Sequence, residues 1–537
     1  TRVLHISVQR APFLGPPGDQ RSVAHKTSMR SARVEKPPAM EAAGREPSGE
    51  WKLTMPSETY PKIAQLKTVE VLRARLLELE LDLPTDDQIL SADAGSPLAQ
   101  PLAIGDFSVG NRWCIHPMEG WDAHADGSPS EHTLRRWRNF GISGAKWIWG
   151  GEAAAVQPDG RANPNQTLAT ADNADGLRAL LDGLTAAHRE RFCTCDDLLV
   201  GLQLTHSGRF CRPNSKQLEP RIAYHHPLLD EKFDIDPSDN SVVWTDDEIE
   251  KLINNYVAAA VLASEAGFRF VDIKACHGYL LHEFLSARVR PGQYGGDYEG
   301  RTRLLKTIIG RVQDECPTLM VMCRLSVFDI PPFATSREVG RPMDFAALLP
   351  YEFGFGVNVD NPLQIDLTEP LQLIGELREL GVAALNVTCG SPYYSPHIQR
   401  PAIFPPSDGY LPPEDPLVGV VRQVQVTRQC KEVAGAMPVV GSGLSYLQDY
   451  LPHAAQAIVR EGWADAVGLG RMVLSYPELP ADCLSEGAMQ RKKVCRTFSD
   501  CTTAPRHGLA SGCYPLDAYY KALPEAEQLR EVKQGMK

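Results

Sequence analysis

The sequence predicts a (β/α)8 TIM barrel with an N-terminal extension and a C-terminal cysteine-containing tail. Three observations carry that expectation. Eight short runs of strand character recur between residues 111 and 471, helix-like stretches separate them, and nearly every run ends in polar residues. A doubly wound sheet also alternates β and α, but it has fewer strands and a glycine-rich turn after the first one. No such turn follows "NRWCIHPM".

Residues 1–50 are rich in Arg, Lys, Pro, Ser and Gly and lack apolar periodicity, so they are expected to be disordered or loosely tethered. Arg10, Arg21, Lys26, Arg30 and Arg33 give this segment a transit-peptide look; a solvated tail, or an extension ahead of Met40, is the simpler reading. Residues 51–97 read as a helical arm packed on the barrel, because "TVEVLRARLLEL" spaces its apolar residues for a helix. The barrel is assigned to 98–482, opening with two short extended pieces in "PLAIGDFSVGNRWCIHPMEG". Its strands are placed at 111–118, 145–153, 198–206, 268–275, 319–327, 382–390, 437–443 and 464–471. "DEIEKLINNYVAAAVLASEAG" and "LQDYLPHAAQAIVREG" are among the intervening helices, and 483–537 forms the tail.

Composition bounds the partners. Hydrophobic content of 43% and charged content of 23% are ordinary for a globular chain of 537 residues. A net charge of −12 argues against a general nucleic-acid binder. No apolar run is long enough for a membrane span, and the first residues lack the apolar core of a secretory signal. Thirteen scattered cysteines, an odd number, read as reduced thiols in a cytoplasmic setting.

Barrel enzymes work at the C-terminal ends of their strands. Here those ends carry Pro117-Met118-Glu119, Glu152-Ala153, Gln203 to His206, Lys274 to Tyr279, Arg324 to Ser326, Asn386 to Thr388, Ser442-Gly443 and Gly470-Arg471. Glycines at 441, 443, 468 and 470, with Arg471, close the last two strands, where barrels commonly seat a phosphate on exposed backbone N–H groups. "KACHGYL" (274–280) puts a cation, an imidazole and a phenol just after the apolar run "FRFVDI". Together they can hold an electron-rich atom and give it a proton.

These motifs, in order from about residue 98 to 480, resemble the old yellow enzyme family of FMN-dependent oxidoreductases. "GLQLTHSGR" is similar to the strand-three motif and "HGYLLHEFLSARVRPGQYGGDYEGRTRLL" to the segment after strand four; "CRLS" looks like strand five and "ADAVGLGRMVLSYPELP" like the strand-eight phosphate motif. The resemblance implies FMN across the barrel mouth, its phosphate at Ser442, Gly443, Gly470 and Arg471. It places Gln203 on the pyrimidine edge, Arg324 by N1/O2, and Pro117, Met118, Glu119 and Ala153 along the O4/N5 side. Structural hydrogen bonds inside the barrel are the competing reading for Gln203 and Arg324. The resemblance also implies that Lys274 and His277 hold a substrate oxygen while Tyr279 protonates carbon, with NADH or NADPH as reductant. Cationic neighbours are expected to ease loss of the Tyr279 proton.

Two departures from the family pattern matter. Lys274 stands where the family has histidine, and Glu119 where it has a small residue. Lys274 either meets an anionic or strongly polarised substrate or pairs with Glu119 or Glu152; coupling of Lys274 to Glu119 would set substrate preference and flavin potential together. A longer branch of the family, the 2,4-dienoyl-CoA reductase-like one, carries an iron–sulfur cluster on four cysteines. Cys495, Cys501 and Cys513 match three of its positions, with Phe498 at the remaining one. A cluster, or zinc with His507, is less favoured than a relic of buried thiols. That branch also has appended nucleotide-binding domains, and no electron route through such domains is expected in a chain ending at residue 537.

The long loop after strand five and "SPYYSPHIQRPAIFPPSDGY" after strand six are each a candidate lid or a homo-oligomer contact. The leading functional expectation is NAD(P)H-driven reduction of an electron-poor alkene, on a small-molecule substrate that also carries an anionic or polarised group. Amine oxidation or demethylation and a non-turnover flavin subunit are the alternatives.

Overall fold

The computed structural model describes residues 60–535; the expectation for 1–50 lies outside them. Strands β1 (Leu102–Ile104) and β2 (Phe107–Val109) pair antiparallel as a hairpin turning at Gly105, which has φ +55°. The barrel itself is built from β3 (Trp113–Ile115), β4 (Trp147–Ile148), β6 (Leu199–Thr205), β7 (Phe270–Ala275), β8 (Met320–Ser326), β9 (Leu385–Thr388), β10 (Val439–Gly441) and β11 (Ala466–Leu469). All neighbouring pairs are parallel, and β4 pairs with both β3 and β6, which closes the ring. The second strand is broken. Gly150 and Gly151, at φ +83° and +43°, turn the chain away after β4, and it rejoins β6 as β5 (Ala153–Ala155).

Local chemistry fixes the helices between strands. Thr245 and Glu248 form a reciprocal capping box at the start of Asp246–Ala266, and Gly267 ends it at φ +101°. Ser130, Asp297 and Thr68 cap Glu131–Gly141, Tyr298–Glu315 and the arm helix Val69–Glu78 more simply, each accepting from backbone N–H groups of the first turn. One expected helix is shorter than read. Within "LQDYLPHAAQAIVREG" the α-helix is Leu451–Arg460, because Gln448 takes φ +52° and Pro452 fits only the first turn.

The period-2 alternation of the strands sorts residues to two sides. Outward residues such as Val271, Ile273, Val321 and Leu325 join the main core beneath the helices. Inward residues change character along the axis. At the N-terminal end Cys114, Trp147, Trp149, Phe270, Met322, Val440 and Ala466 pack with hairpin residues Leu102, Ile104 and Val109, so the floor of the barrel is a sealed apolar plug. Two residues further along the same strands come His116, Asp272, Arg324 and Ser442, all buried and polar. A third layer adds Lys274 and Thr388. The fold therefore delivers polar groups to one open end only.

Candidate active site

A cleft at that end is lined by residues from the strand ends, the loop after β9 and the C-terminal tail. Of the residues singled out from sequence, it brings together Pro117, Met118, Glu119, Gln203, Lys274, His277, Tyr279, Arg324, Ser442, Gly443, Gly470 and Arg471. Ala153 is not among its lining residues: it sits on β5, buried, with its carbonyl accepting from Gln166 Nε2 at 2.9 Å. The detour at Gly150–Gly151 moves this residue off the line of β4 and onto β5.

Asp272 organises the floor of the cleft. Its carboxylate accepts from Gln203 Nε2 (2.6 Å), Trp149 Nε1 (2.7 Å) and the Arg324 backbone N–H (2.7 Å). Burial still pushes its pKa up to about 6, against these hydrogen bonds. Gln203 thus has its amide nitrogen tied down and its oxygen left to accept. Above it, His116 shares hydrogen bonds with Asn386 Nδ2 (3.1 Å) and Ser442 Oγ (3.2 Å), and burial holds its pKa well below the ordinary range. The Ser442 hydroxyl is therefore occupied inside the barrel. Gly468 makes this packing possible, since a Cβ there would lie 1.9 Å from the His116 ring. Gly443, at φ +86°, would collide with the Gln423 side chain, whereas a Cβ at Gly470 would meet Met118 at an ordinary 3.7 Å.

The end of β7 holds the second half of the site. Lys274 is paired with Glu119 at 3.2 Å and lies 3.6 Å from the Tyr279 ring centroid. Glu119 also accepts from Trp121 Nε1 (2.5 Å) and from Tyr279 Oη (3.2 and 3.3 Å), and Tyr279 Oη is 2.8 Å from Tyr393 Oη. Burial, then Glu119, raises the Tyr279 pKa well above that of an ordinary phenol. This corrects the expectation that nearby cations would ease its ionisation: the carboxylate has the larger influence, and Tyr279 keeps its proton. His277 takes φ +65°, unusual for a side-chain-bearing residue, with its N–H held by Ser326 Oγ at 3.0 Å. Its Nε2 faces Thr388 Oγ1 (3.4 Å) and Gln399 Nε2 (3.3 Å). Burial, with Arg324 and Lys274 nearby, holds the ring well below ordinary histidine, so it is a neutral imidazole.

Glu152 is not the partner of Lys274. It is tied to Arg136 at 2.7 Å, which also grips Asp122 at 2.6 Å, and burial lifts its pKa to about 7. Tyr393 stacks on Phe210 at 4.0 Å and brings the loop after β9 over the cleft. The loop after β8 supplies no lining residue, so the lid expectation passes to the loop after β9 and to the tail, which contributes Cys501, Thr502 and Arg506. Cys495 and Cys513 are buried and Cys501 partly so, and burial raises the pKa of Cys495 and Cys513. Among the described residues no group of three or more His, Cys, Asp or Glu is arranged to hold a metal.

The site fits a flavin mononucleotide. Arg324 Nε and Arg471 Nη1 are buried without hydrogen-bond partners, as expected of cations that meet an anion, and Gly443, Gly468 and Gly470 at the ends of β10 and β11 line the same cleft, where backbone N–H groups suit a phosphate. No helix among the described residues is long and apolar enough to cross a membrane.

Comparison with known proteins agrees with this fit. The family model for the NADH:flavin oxidoreductase / NADH oxidase family matches residues 97–346. The match ends before Cys495, so a tie to the cluster-bearing branch rests on the tail cysteines alone. An NADH:flavin oxidoreductase of Gibberella zeae is 32% identical over 43% of this chain and 56% of its own length. An NADPH dehydrogenase of Bacillus velezensis is 30% identical over 40% of this chain and 60% of its own. The aligned part thus spans less than two thirds of either relative. A 2-naphthoyl-CoA reductase structure aligns over 81% of this chain and 58% of its own at TM-score 0.57 and 17% identity, which supports the barrel fold. With the ordered strand-end motifs and the flavin-compatible cleft, these findings make residues 97–346 of this chain similar to the NADH:flavin oxidoreductase / NADH oxidase family.

Proposed function

We propose that the protein is an FMN-dependent, NAD(P)H-driven reductase of an electron-poor C=C bond in a small molecule. The observation that supports this best is the juxtaposition of a neutral His277, the Lys274 ammonium and a fully protonated Tyr279 in the cleft that also presents Gln203 and Arg324. Bound FMN supplies hydride chemistry, with NADH or NADPH as the electron source. Gln203 Oε1 is the acceptor left for a flavin N–H, Arg324 offers positive charge to the reduced ring, and Arg471 with the backbone at Ser442, Gly443 and Gly470 receives the phosphate. His277 and Lys274 hold the oxygen conjugated to the alkene, and charge growing there strengthens both contacts. Pro117 and Met118 contribute to the wall beside them.

Tyr279 then gives its Oη proton to carbon. A high pKa suits an acid that must stay protonated until a carbanion-like centre forms, and Glu119 and Tyr393 hold that hydroxyl in place. Replacement of Tyr279 by Phe tests the assignment by stopped-flow. Flavin reduction by NADPH should be unchanged, and reoxidation by an enone should slow by ~10²-fold or more. Equal reoxidation rates would remove the proton-donor role. Bleaching of the oxidised flavin by an amine without NADPH, reversed by an external electron acceptor, would instead favour amine oxidation.

A further inference from the structure

Beside the proposed FMN phosphate seat lies a second group of cations that the proposed chemistry does not use. Arg400, from the loop after β9, and Arg506, from the tail, both line the cleft with Arg471. Nε and Nη2 of Arg400 are buried without hydrogen-bond partners, and its Nη1 is held by Thr502 Oγ1 of the tail. Arg506 is anchored through Nε to Asp408 and through Nη1 to the Thr502 carbonyl at 3.3 Å, and its guanidinium lies 5.8 Å from the Tyr393 ring centroid. Glu119 is the one carboxylate on the cleft lining among the described residues, and it is already engaged by Lys274, Tyr279 and Trp121.

We infer that Arg400 and Arg506 form a second anion seat, distinct from that of the FMN phosphate, which takes a phosphoryl group of the second ligand entering the cleft. This rests on the flavin reading of the same site. A guanidinium with two idle donors on one edge matches two oxygens of a phosphate, and a second guanidinium nearby matches its remaining charge. Buried donors of this kind are completed by water or by a ligand, and an anion completes both at once while offsetting the charge. Repulsion points the same way. Burial, then Arg506 and Arg471, lowers Arg400 to about 9, and a bound dianion would relieve that repulsion. The seat lies next to Tyr393, which contacts the proposed acid, so a phosphorylated ligand gripped there reaches the reacting end of the cleft. The phosphoryl group belongs either to the nicotinamide nucleotide or to a phosphorylated acceptor; the seat reads the group they share.

The test uses FMN-loaded protein titrated with inorganic pyrophosphate, followed calorimetrically and by perturbation of the flavin absorption, with succinate as a carboxylate control. Wild type should bind pyrophosphate more tightly than succinate. Arg400→Gln and Arg506→Gln should each keep FMN and weaken pyrophosphate by roughly tenfold or more. Should Arg400→Gln fail to fold, Arg506→Gln, at the tail and nearer the surface, still tests the seat. Competition of pyrophosphate with NADPH in flavin reduction assigns the seat to the nucleotide, and competition with the acceptor in reoxidation assigns it to the acceptor; either supports the seat. Loss of FMN in parallel with loss of Arg400 would make this residue part of the cofactor site and overturn the inference. Unchanged pyrophosphate affinity in both variants would overturn it as well. A wild-type protein that takes up no FMN would instead sink the flavin reading on which it rests.

Discussion

The Lys274–Glu119 pair gives the sharpest quantitative expectation. The two charges are 3.2 Å apart, with side-chain exposures of 4% and 13%. At an effective dielectric constant of about 20 their attraction is roughly 5 kcal/mol. Desolvation of two mostly buried ions offsets about half of this, so a coupling of about 2–3 kcal/mol is expected from a double-mutant cycle. Glu119→Gln keeps an acceptor for Trp121 and Tyr279 while removing charge, and Lys274→Met keeps the length of the side chain. Each single variant leaves one uncompensated buried charge and should cost about 3 kcal/mol in urea denaturation of the FMN-loaded protein. The double variant should be less destabilised than the sum of the singles. The flavin midpoint potential gives a second readout: Glu119→Gln adds net positive charge to the cleft and should raise it, and Lys274→Met should lower it. Additive stabilities within about 0.5 kcal/mol, together with additive potentials, would refute the coupling.

Three further outcomes are expected. Gly468→Ala places a Cβ 1.9 Å from the His116 ring, so it should cost at least ~3 kcal/mol and weaken FMN retention, read by denaturation and by flavin release; a near-neutral variant would contradict the packing. Riboflavin, which lacks the phosphate, should bind much more weakly than FMN at low salt, and the gap should narrow as salt rises; equal affinities would remove Arg471 and the glycine-closed turns as the phosphate seat. Thermal stability should rise from about pH 4.5 to 6.5. Burial holds His188 and His206 down to about 4 and His282 to about 3, so the unfolded chain binds more protons than the folded one between those values and about 6.5. His116, His226, His277 and His397 add to this effect. Asp272, pushed up to about 6, and Glu152 and Asp329, to about 7, oppose it in smaller number. A melting temperature flat or falling across that window would contradict the balance.

The barrel and half of its site were legible because both depend on the local period of the chain. Phe270, Asp272 and Lys274 are successive inward residues of one strand, and their order from apolar through acidic to cationic is written in "FVDIK". The same alternation in "CRLS" and "WCIH" exposes Arg324 and His116 to the barrel interior. His116 and Asp272 lie one layer beneath the strand ends, so a pattern of polar strand ends does not mark them. That layer matters: it pins the Gln203 nitrogen and occupies the Ser442 hydroxyl, so these two residues offer other atoms than a motif match suggests.

The rest of the site is less legible for a different reason. The segment 391–410, with Tyr393 and Arg400, reads from sequence only as a lid or an oligomer contact, and Arg506 ends the helix Asp500–Arg506 of the tail; their positions depend on contacts distant in sequence, and no periodicity encodes those. Tyr393 is placed by stacking on Phe210, Arg400 by Thr502 and Arg506 by Asp408. The tail thus acts on the barrel mouth through side chains that no strand-end pattern includes. The effect on Tyr279 shows why such long-range contacts change chemistry as well as shape. From sequence, a phenol flanked by lysine and histidine reads as an acid made stronger by cations. In the fold its hydroxyl lies against Glu119 and Tyr393, while Lys274 sits over the ring and spends its charge on the same carboxylate. The proton is held more tightly as a result, so its transfer must wait for a base stronger than the cleft itself contains, which is what a developing carbanion provides.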